Sequence, residues 1–268
     1  MKTFLASVAA VAWLTPARAQ SLQPERRHEL WAGGGPLERV MLDRQASPLV
    51  YRAKGSAFQL TYTRRGTRSR LSLDLQPTFG QDLAKRYGVR RYHNGVGTYA
   101  IQSAYYDASL ALRYLRRLPT ANPAKLRLFA GLGVQNRLQV SDAVANLYWG
   151  LNVAGLYAEG RAEYQPTPAQ QLTAELSVPG LAAVTRHTYA NYPKSTDESN
   201  LGAFFTQGTQ WASLDQFQQV QASLRYHYTL FRRLHVGVRY RFQWLHYPAP
   251  RPIRAYDQSL LGQLGYQF

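Results

Sequence analysis

The residues with the most chemistry to offer are six histidines, His28, His93, His187, His227, His235 and His246. A histidine becomes a general base when a nucleophilic hydroxyl is held beside it. His227-Tyr228-Thr229 comes nearest to that arrangement, with Thr229 as the hydroxyl on the same face of an extended chain. His93-Asn94-Gly95 lies in a polar stretch and reads as a turn. Glu159 and Glu163 fall at a familiar metal-ligand spacing, but Arg161 stands between them and makes the trio a salt-bridged face. The absence of cysteine removes thiolate metal sites and any disulfide framework. The sequence therefore predicts no catalytic, cofactor-binding or metal-ligating residue and no enzyme. An acyl hydrolase of lipids working through His227 or His93 stays as a minor alternative.

The elements that would position these residues are strands. From Phe217 to Tyr228, Val220, Ala222, Leu224, Tyr226 and Tyr228 alternate with Gln219, Gln221, Ser223, Arg225 and His227, which is period two. The corner Phe231-Arg232-Arg233-Leu234 reverses the chain. Val236, Val238, Tyr240, Phe242 and Trp244 then alternate with Arg239, Arg241 and Gln243, and a last run puts Leu260, Leu264, Tyr266 and Phe268 on one face. Upstream, similar runs cover 57–63, 68–76, 99–116, 126–137, a strand holding Trp149, Leu151 and Val153, and a run through Leu172 to Val178. Residues 48–53 supply a weaker first strand, closed by a tight Lys54-Gly55 turn. Glu159, Arg161 and Glu163 share the parity of Trp149, so a bulge near Gly155 is expected to keep the carboxylates off the apolar face. Connections at 64–67, 117–125, 165–168 and 231–234 are short, while those at 80–98, 186–214 and 248–257 are long.

Apolar rows with aromatic ends opposite rows of Arg, Gln and Asp suit a sheet whose outside meets lipid and whose inside meets water. The terminal Phe268 resembles the C-terminal signal of bacterial outer-membrane β-barrel proteins. This resemblance implies an all-β fold, a transmembrane antiparallel up-and-down barrel of about ten strands, with eight or twelve as alternatives, placed in the outer membrane by the barrel-assembly machinery. Outer-membrane lipid hydrolases that pair His with Ser two residues later are resembled in class only, because no histidine here has that serine. A soluble β-sandwich would also alternate, but the aromatic end, the loop rhythm and the long strands favour the barrel.

Met1 to Ala19 has Lys2, an apolar run from Phe4 to Leu14 and a small-x-small site at Ala17-Arg18-Ala19, and reads as a signal peptide. Residues 20–46, broken by Gly33-Gly34-Gly35-Pro36, read as a periplasmic lead-in, and 47–268 as the barrel. No later stretch is apolar for long enough to cross a bilayer as a helix. The mean hydropathy of -0.38 is uninformative for alternating strands. The formal charge of +17 in 268 residues falls by two when Lys2 and Arg18 leave. In an exported chain this basicity points away from nucleic acid. The expected partners are outer-membrane lipids, lipopolysaccharide phosphates, acidic glycans or another envelope protein.

The expected barrel interior is Arg70, Asp74, Asp107, Arg113, Arg127, Arg137, Glu159, Arg161, Glu163, Glu175, Arg225, His227, Arg239 and Arg241, interlocked as a polar filling. The expected aromatic girdle is Tyr62, Tyr114, Tyr226, Tyr228, Tyr240, Trp244, Tyr266 and Phe268. Loop aromatics Tyr189, Tyr192, Phe204, Phe205 and Trp211 are candidates for recognition, beside a rim made basic by Arg86, Arg90, Arg91, Arg251 and Arg254. The sequence thus predicts a structural or surface-interaction protein. A narrow anion-preferring channel is the alternative.

Overall fold

The computed structural model describes residues 28–84, 90–93, 98–101, 104–122, 124–141, 149–186 and 200–268. Residues 1–19, read above as a signal peptide, and Arg86, Tyr189 and Tyr192 lie outside these residues. The strands are β1 (His28–Asp43), β2 (Val50–Arg65), β3 (Ser69–Ala84), β4 (Arg90–His93), β5 (Thr98–Ile101), β6 (Ala104–Leu118), β7 (Leu126–Ser141), β8 (Trp149–Thr167), β9 (Gln170–Arg186), β10 (Thr209–Ser213), β11 (Gln218–Thr229), β12 (Leu234–Tyr247) and β13 (Ile253–Gln267), with one helix, α1 (Asn200–Gly208). Ten of them, β1, β2, β3, β6, β7, β8, β9, β11, β12 and β13, pair antiparallel in that order, and β13 pairs with β1 to close the barrel. The small β4–β5 hairpin stands between β3 and β6, and β10 adds to the end of β9.

The strand number agrees with the expectation, but the first strand is a different segment. Residues 28–43, read above as part of a lead-in, form β1. Gly33 to Pro36 does not break it, because the ladder to β2 runs unbroken through these residues. The ladder to β13 is interrupted at Gly35 and Pro36, where proline has no N–H to donate. Lys54-Gly55 is likewise no turn. Gly55 lies opposite Gly80 in mid-strand, where a Cβ would meet the backbone of Phe79 and Gly80, so the glycine permits close approach of two strands.

The bulge also lies elsewhere. Leu156 pairs with Leu181 and Tyr157 with Pro179, which leaves Gly180 of β9 as the extra residue, and β8 keeps one frame. Trp149, Leu151 and Val153 therefore point into the barrel with Glu159 and Glu163, all of them buried. The upper part of β8 is apolar on its inner side, a possibility that the parity argument had assigned to lipid.

Turns at 66–68, 168–169 and 230–233, with 119–125, lie at the end that holds Phe268. The opposite end carries the connections between β3 and β6 and between β9 and β11. Short turns face the periplasm in such barrels, so the second end is extracellular. The outer wall is apolar in its middle, with Leu60, Leu73, Leu75, Leu110, Leu112, Leu132, Val134, Leu176, Leu224 and Val238 all exposed. No helix among the described residues is long and apolar enough to cross a membrane; the crossing is made by strands.

Candidate functional site

The inward row of every strand alternates with a lipid-facing row, so charged residues placed two apart stack up the barrel axis. At the periplasmic end Arg65 meets Glu29 at 2.5 Å. Above it runs one chain of alternating charge. Arg70 donates to Glu163 at 2.9 Å, Arg161 lies 2.8 Å from Glu163 and 3.1 Å from Glu175, and Arg239 donates to Glu175. Arg239 also approaches Asp74 at 3.9 Å, Arg113 bonds Asp74 at 3.0 Å, and Arg113 reaches Glu159 at 3.2 Å. A second cluster sits higher, with Arg137 held by both Asp107 and Asp257 and Arg39 3.4 Å from Asp257. Neutral groups complete the carboxylate shells. Gln59 donates to Asp74 at 3.0 Å, Ser177 to Glu159 at 3.0 Å and Tyr105 to Asp107 at 3.0 Å.

Charges taken out of water hold their place only when paired and hydrogen-bonded, and each carboxylate of this network has an arginine at ion-pair distance. The arginines are in excess. Arg225 and Arg241 have no carboxylate at ion-pair distance among the described residues. Arg225 lies over the Trp31 ring at 5.0 Å, and Arg241 lines a central cavity of about 50 Å³ with Arg113, Arg137, Glu159 and Asp257. A cavity of that size holds a few water molecules.

Nearer the extracellular end the filling changes from polar to apolar. Met41, Tyr51, Trp149, Leu151, Val153, Phe217, Leu245, Tyr247 and Ile253 pack together inside the wall. The ion pair of Arg186 and Asp43, at 2.5 Å, sits with them. Trp149 Nε1 donates to Asp43 at 2.9 Å, and Arg186 also donates to the carbonyls of Ala249 and Arg251 at 2.6 and 2.7 Å. Sequence reasoning missed this apolar plug. The inward parity of Met41, Tyr51 and Leu245 was available as a signal, but it was masked by the misplaced first strand.

Each of the fourteen residues expected in the interior lies on the inward face. His227 is buried against Trp31 and His235, with ring centroids at 5.1 and 5.6 Å. Thr229 bonds His235 at 2.9 Å, so the structure does not bring Thr229 and His227 together as a nucleophile and base. His93 is the last residue of β4. The Glu159 and Glu163 carboxylates go to different arginines, and no cluster of three metal-binding side chains occurs among the described residues.

The eight girdle residues lie on the outward face. Tyr62, Tyr114, Tyr226, Tyr228, Tyr266 and Phe268 form the periplasmic belt. Trp244 stands in the outer half with Phe58, Phe79, Tyr106 and Tyr256, which the sequence reading had not included; Phe79 contacts Phe58 and Tyr106 at 6.3 and 6.1 Å between centroids. Of the loop aromatics, Phe204 is buried and packs over Gly150, whereas Phe205 and Trp211 are exposed, Trp211 by 71%. Trp211 of β10 pairs opposite Ala183 of β9, and so extends the outer wall. Exposed Arg44, Lys54, Arg251 and Arg254, with Arg52 on Glu38 at 3.3 Å, make the described outer end basic. In the turn after β10 the Ser213 hydroxyl donates to Asp215 and lowers its carboxyl below the ordinary range.

No family model matches the sequence, and no curated protein matches it. Among solved structures, the outer membrane protease OmpT of Escherichia coli aligns over 93% of this chain and 99% of its own, with 10% identity and a TM-score of 0.53. The translocator domain of the autotransporter NalP from Neisseria meningitidis aligns over 91% and 90%, with 8% identity and a TM-score of 0.44. The chain has the fold of bacterial outer-membrane β-barrel proteins. A closed ten-stranded barrel with a lipid-facing apolar wall belongs in the outer membrane.

Proposed function

We propose that this protein is a sealed barrel that acts at the cell surface by binding, through its extracellular end, and not by conducting solutes. The observation that carries this reading is the apolar plug over an ion-paired interior. A path for ions would have to cross Trp149, Tyr247 and Ile253, none of which can replace a hydration shell. In a small barrel side chains suffice to fill the lumen. The binding surface is the basic outer rim with Phe205 and Trp211, and the ligand class is an anionic glycan or lipopolysaccharide head group, attracted over a Debye length by unscreened arginines and lysines. Insertion by the barrel-assembly machinery is part of the same reading.

Protein reconstituted in planar bilayers is expected to pass no stepwise current and, in vesicles, to bind dextran sulfate over uncharged dextran in a salt-dependent way. Regular conductance steps would overturn the sealed-barrel reading. The arginine excess around the central cavity favours a second reading, a narrow anion-preferring channel, which the same recording identifies by its ion selectivity.

A further inference from the structure

The periplasmic rim is basic at more than one turn, and one part of it has a geometry of its own. Arg64 ends the outward row of β2, one pleat beyond Tyr62, and Arg116 lies on that of β6, one pleat beyond Tyr114 and one before the exposed Leu118 that ends the strand. Both side chains therefore leave the barrel sideways, below the aromatic belt, at the depth of lipid head groups. The two strands flank β3. Arg64 pairs with Leu71, which pairs in turn with Tyr114, and Arg116 pairs with Ser69. Two strand spacings across and two residues along the strand separate the arginines by about 12 Å at their Cα atoms. Arg68 lies in the turn between them, its carbonyl accepting from the N–H of Arg117 at 2.9 Å. Arg64, Arg68 and Arg116 are exposed, and no carboxylate lies at ion-pair distance from them among the described residues; the nearby Glu29 is buried on the inward face with Arg65.

Three unpaired cations at one edge repel one another and gain by an anionic partner. The wall directly above them is a ridge of exposed leucines. Leu73 pairs with Tyr62 on one side and Leu112 on the other, and Leu71, Leu75 and Leu110 continue the ridge, each between 39% and 51% exposed. Charge below and continuous apolar surface above match a phosphodiester head group and its acyl chains. A periplasmic polymer or protein would approach from beneath and would leave the ridge unused.

We infer that the periplasmic-leaflet edge of β2, β3 and β6 is a binding site for an anionic phospholipid, with Arg64, Arg68 and Arg116 on the phosphate and Leu71, Leu73 and Leu112 along an acyl chain. This site is separate from the extracellular binding proposed above, and neither reading depends on the other. A cation at a membrane surface is worth about 1 kcal/mol, or about fivefold, toward anionic lipid, so the three together supply about a hundredfold.

The test is native mass spectrometry of the detergent-solubilised barrel offered equimolar phosphatidylglycerol and phosphatidylcholine, with three variants beside the wild type. R64Q/R68Q/R116Q is expected to lose at least tenfold of the phosphatidylglycerol preference. R64K/R68K/R116K is expected to keep most of it, and R232Q/R233Q, which removes charge from another turn, to change it less than threefold. A heat-dependent gel shift shows that each variant is folded; should the glutamine triple fail to fold, the single R116Q carries the comparison, with a loss of about fivefold. Equal retention of the two lipids by the wild type, or equal loss in the two glutamine variants, would overturn the site. Preferential retention of soluble peptidoglycan fragments by the Arg64 cluster would overturn it as well.

Discussion

Arg186, the last residue of β9, reaches across the extracellular mouth of the barrel to Asp43, the last residue of β1, and their nearest atoms are 2.5 Å apart. The two belong to strands separated by β11, β12 and β13 around the wall, so the pair ties opposite parts of the rim over the apolar plug. Asp43 also accepts from Trp149 Nε1 and from the backbone N–H of Gln45 at 2.9 Å, and so shapes the β1–β2 loop.

Replacing Arg186 by Ala strands Asp43 beside an apolar cluster. Loss of one partner of a buried pair is expected to cost about 3 kcal/mol, read as a lower urea midpoint for the folded barrel in detergent. The D43A/R186A double variant should recover part of that loss, with a coupling of about 1–3 kcal/mol. Additive single effects would show that the pair is not coupled. If the plug seals the lumen, R186A should also raise background conductance in bilayers.

Asp74 stands where three strands' polar groups converge, with Arg113, Gln59 and Thr61 on its oxygens. Asp74→Asn keeps the shape and removes the charge, leaving Arg113 with Glu159 alone and Arg239 with Glu175. The expected loss is about 3–5 kcal/mol of unfolding free energy. D74N should cost more than E38Q, whose target is a half-exposed carboxylate on the outer wall, since exposed pairs contribute roughly 0–1 kcal/mol. A reversal of that order would mean that the interior is open to water rather than filled.

These two predictions rest on residues of unequal legibility. The polar interior was readable because inward and outward rows alternate, and one parity decision assigns Asp74, Arg113 and Arg239 together. What the alternation cannot supply is partner identity, which depends on how strands far apart in sequence face each other across the lumen, as Arg70 and Glu163 do. The first strand was misread because Gly33 to Pro36 and Lys54-Gly55 carry the local signature of turns. In a tightly curved small barrel the same residues serve where neighbouring backbones crowd. The plug was misread for a related reason, since apolar inward residues at Trp149 to Val153 look outward when the interior is assumed to be polar throughout.

The Trp31 indole lies flat on the inner wall at Gly265, where a Cβ would come within 2.7 Å of its ring, and it contacts His227, His235 and the Arg225 guanidinium. Gly265→Ala is therefore expected to push Trp31 off this floor and destabilise the barrel by about 1–3 kcal/mol through overpacking. Tryptophan fluorescence of the folded protein should shift with it. Trp31→Phe, being smaller, should relieve the G265A defect. If the double variant is no more stable than G265A alone, the strain lies in the backbone and not in the indole contact.

The last expectation tests the membrane itself. Leu112 is half exposed on the outward face of β6, beside Leu73 and among the leucines of the middle band, two residues from Tyr114 of the periplasmic belt. In strands tilted by about 40° each residue climbs about 2.6 Å along the barrel axis, so an apolar band of about 25 Å spans some ten residues, from Tyr62 to the level of Arg52 on β2. Arg52 therefore sits at the outer head groups and Lys54, one pleat below, reaches them with its long side chain, while Leu110 lies inside the hydrocarbon. Leu110→Arg is expected to destabilise the barrel by about 2–4 kcal/mol in phospholipid vesicles, whereas Lys54→Leu should change it by less than about 1 kcal/mol. The measurement is reversible urea unfolding in vesicles followed by tryptophan emission. Equal effects of the two substitutions would place the bilayer at a different height on the wall, and a neutral L110R would show that this face does not meet lipid at all.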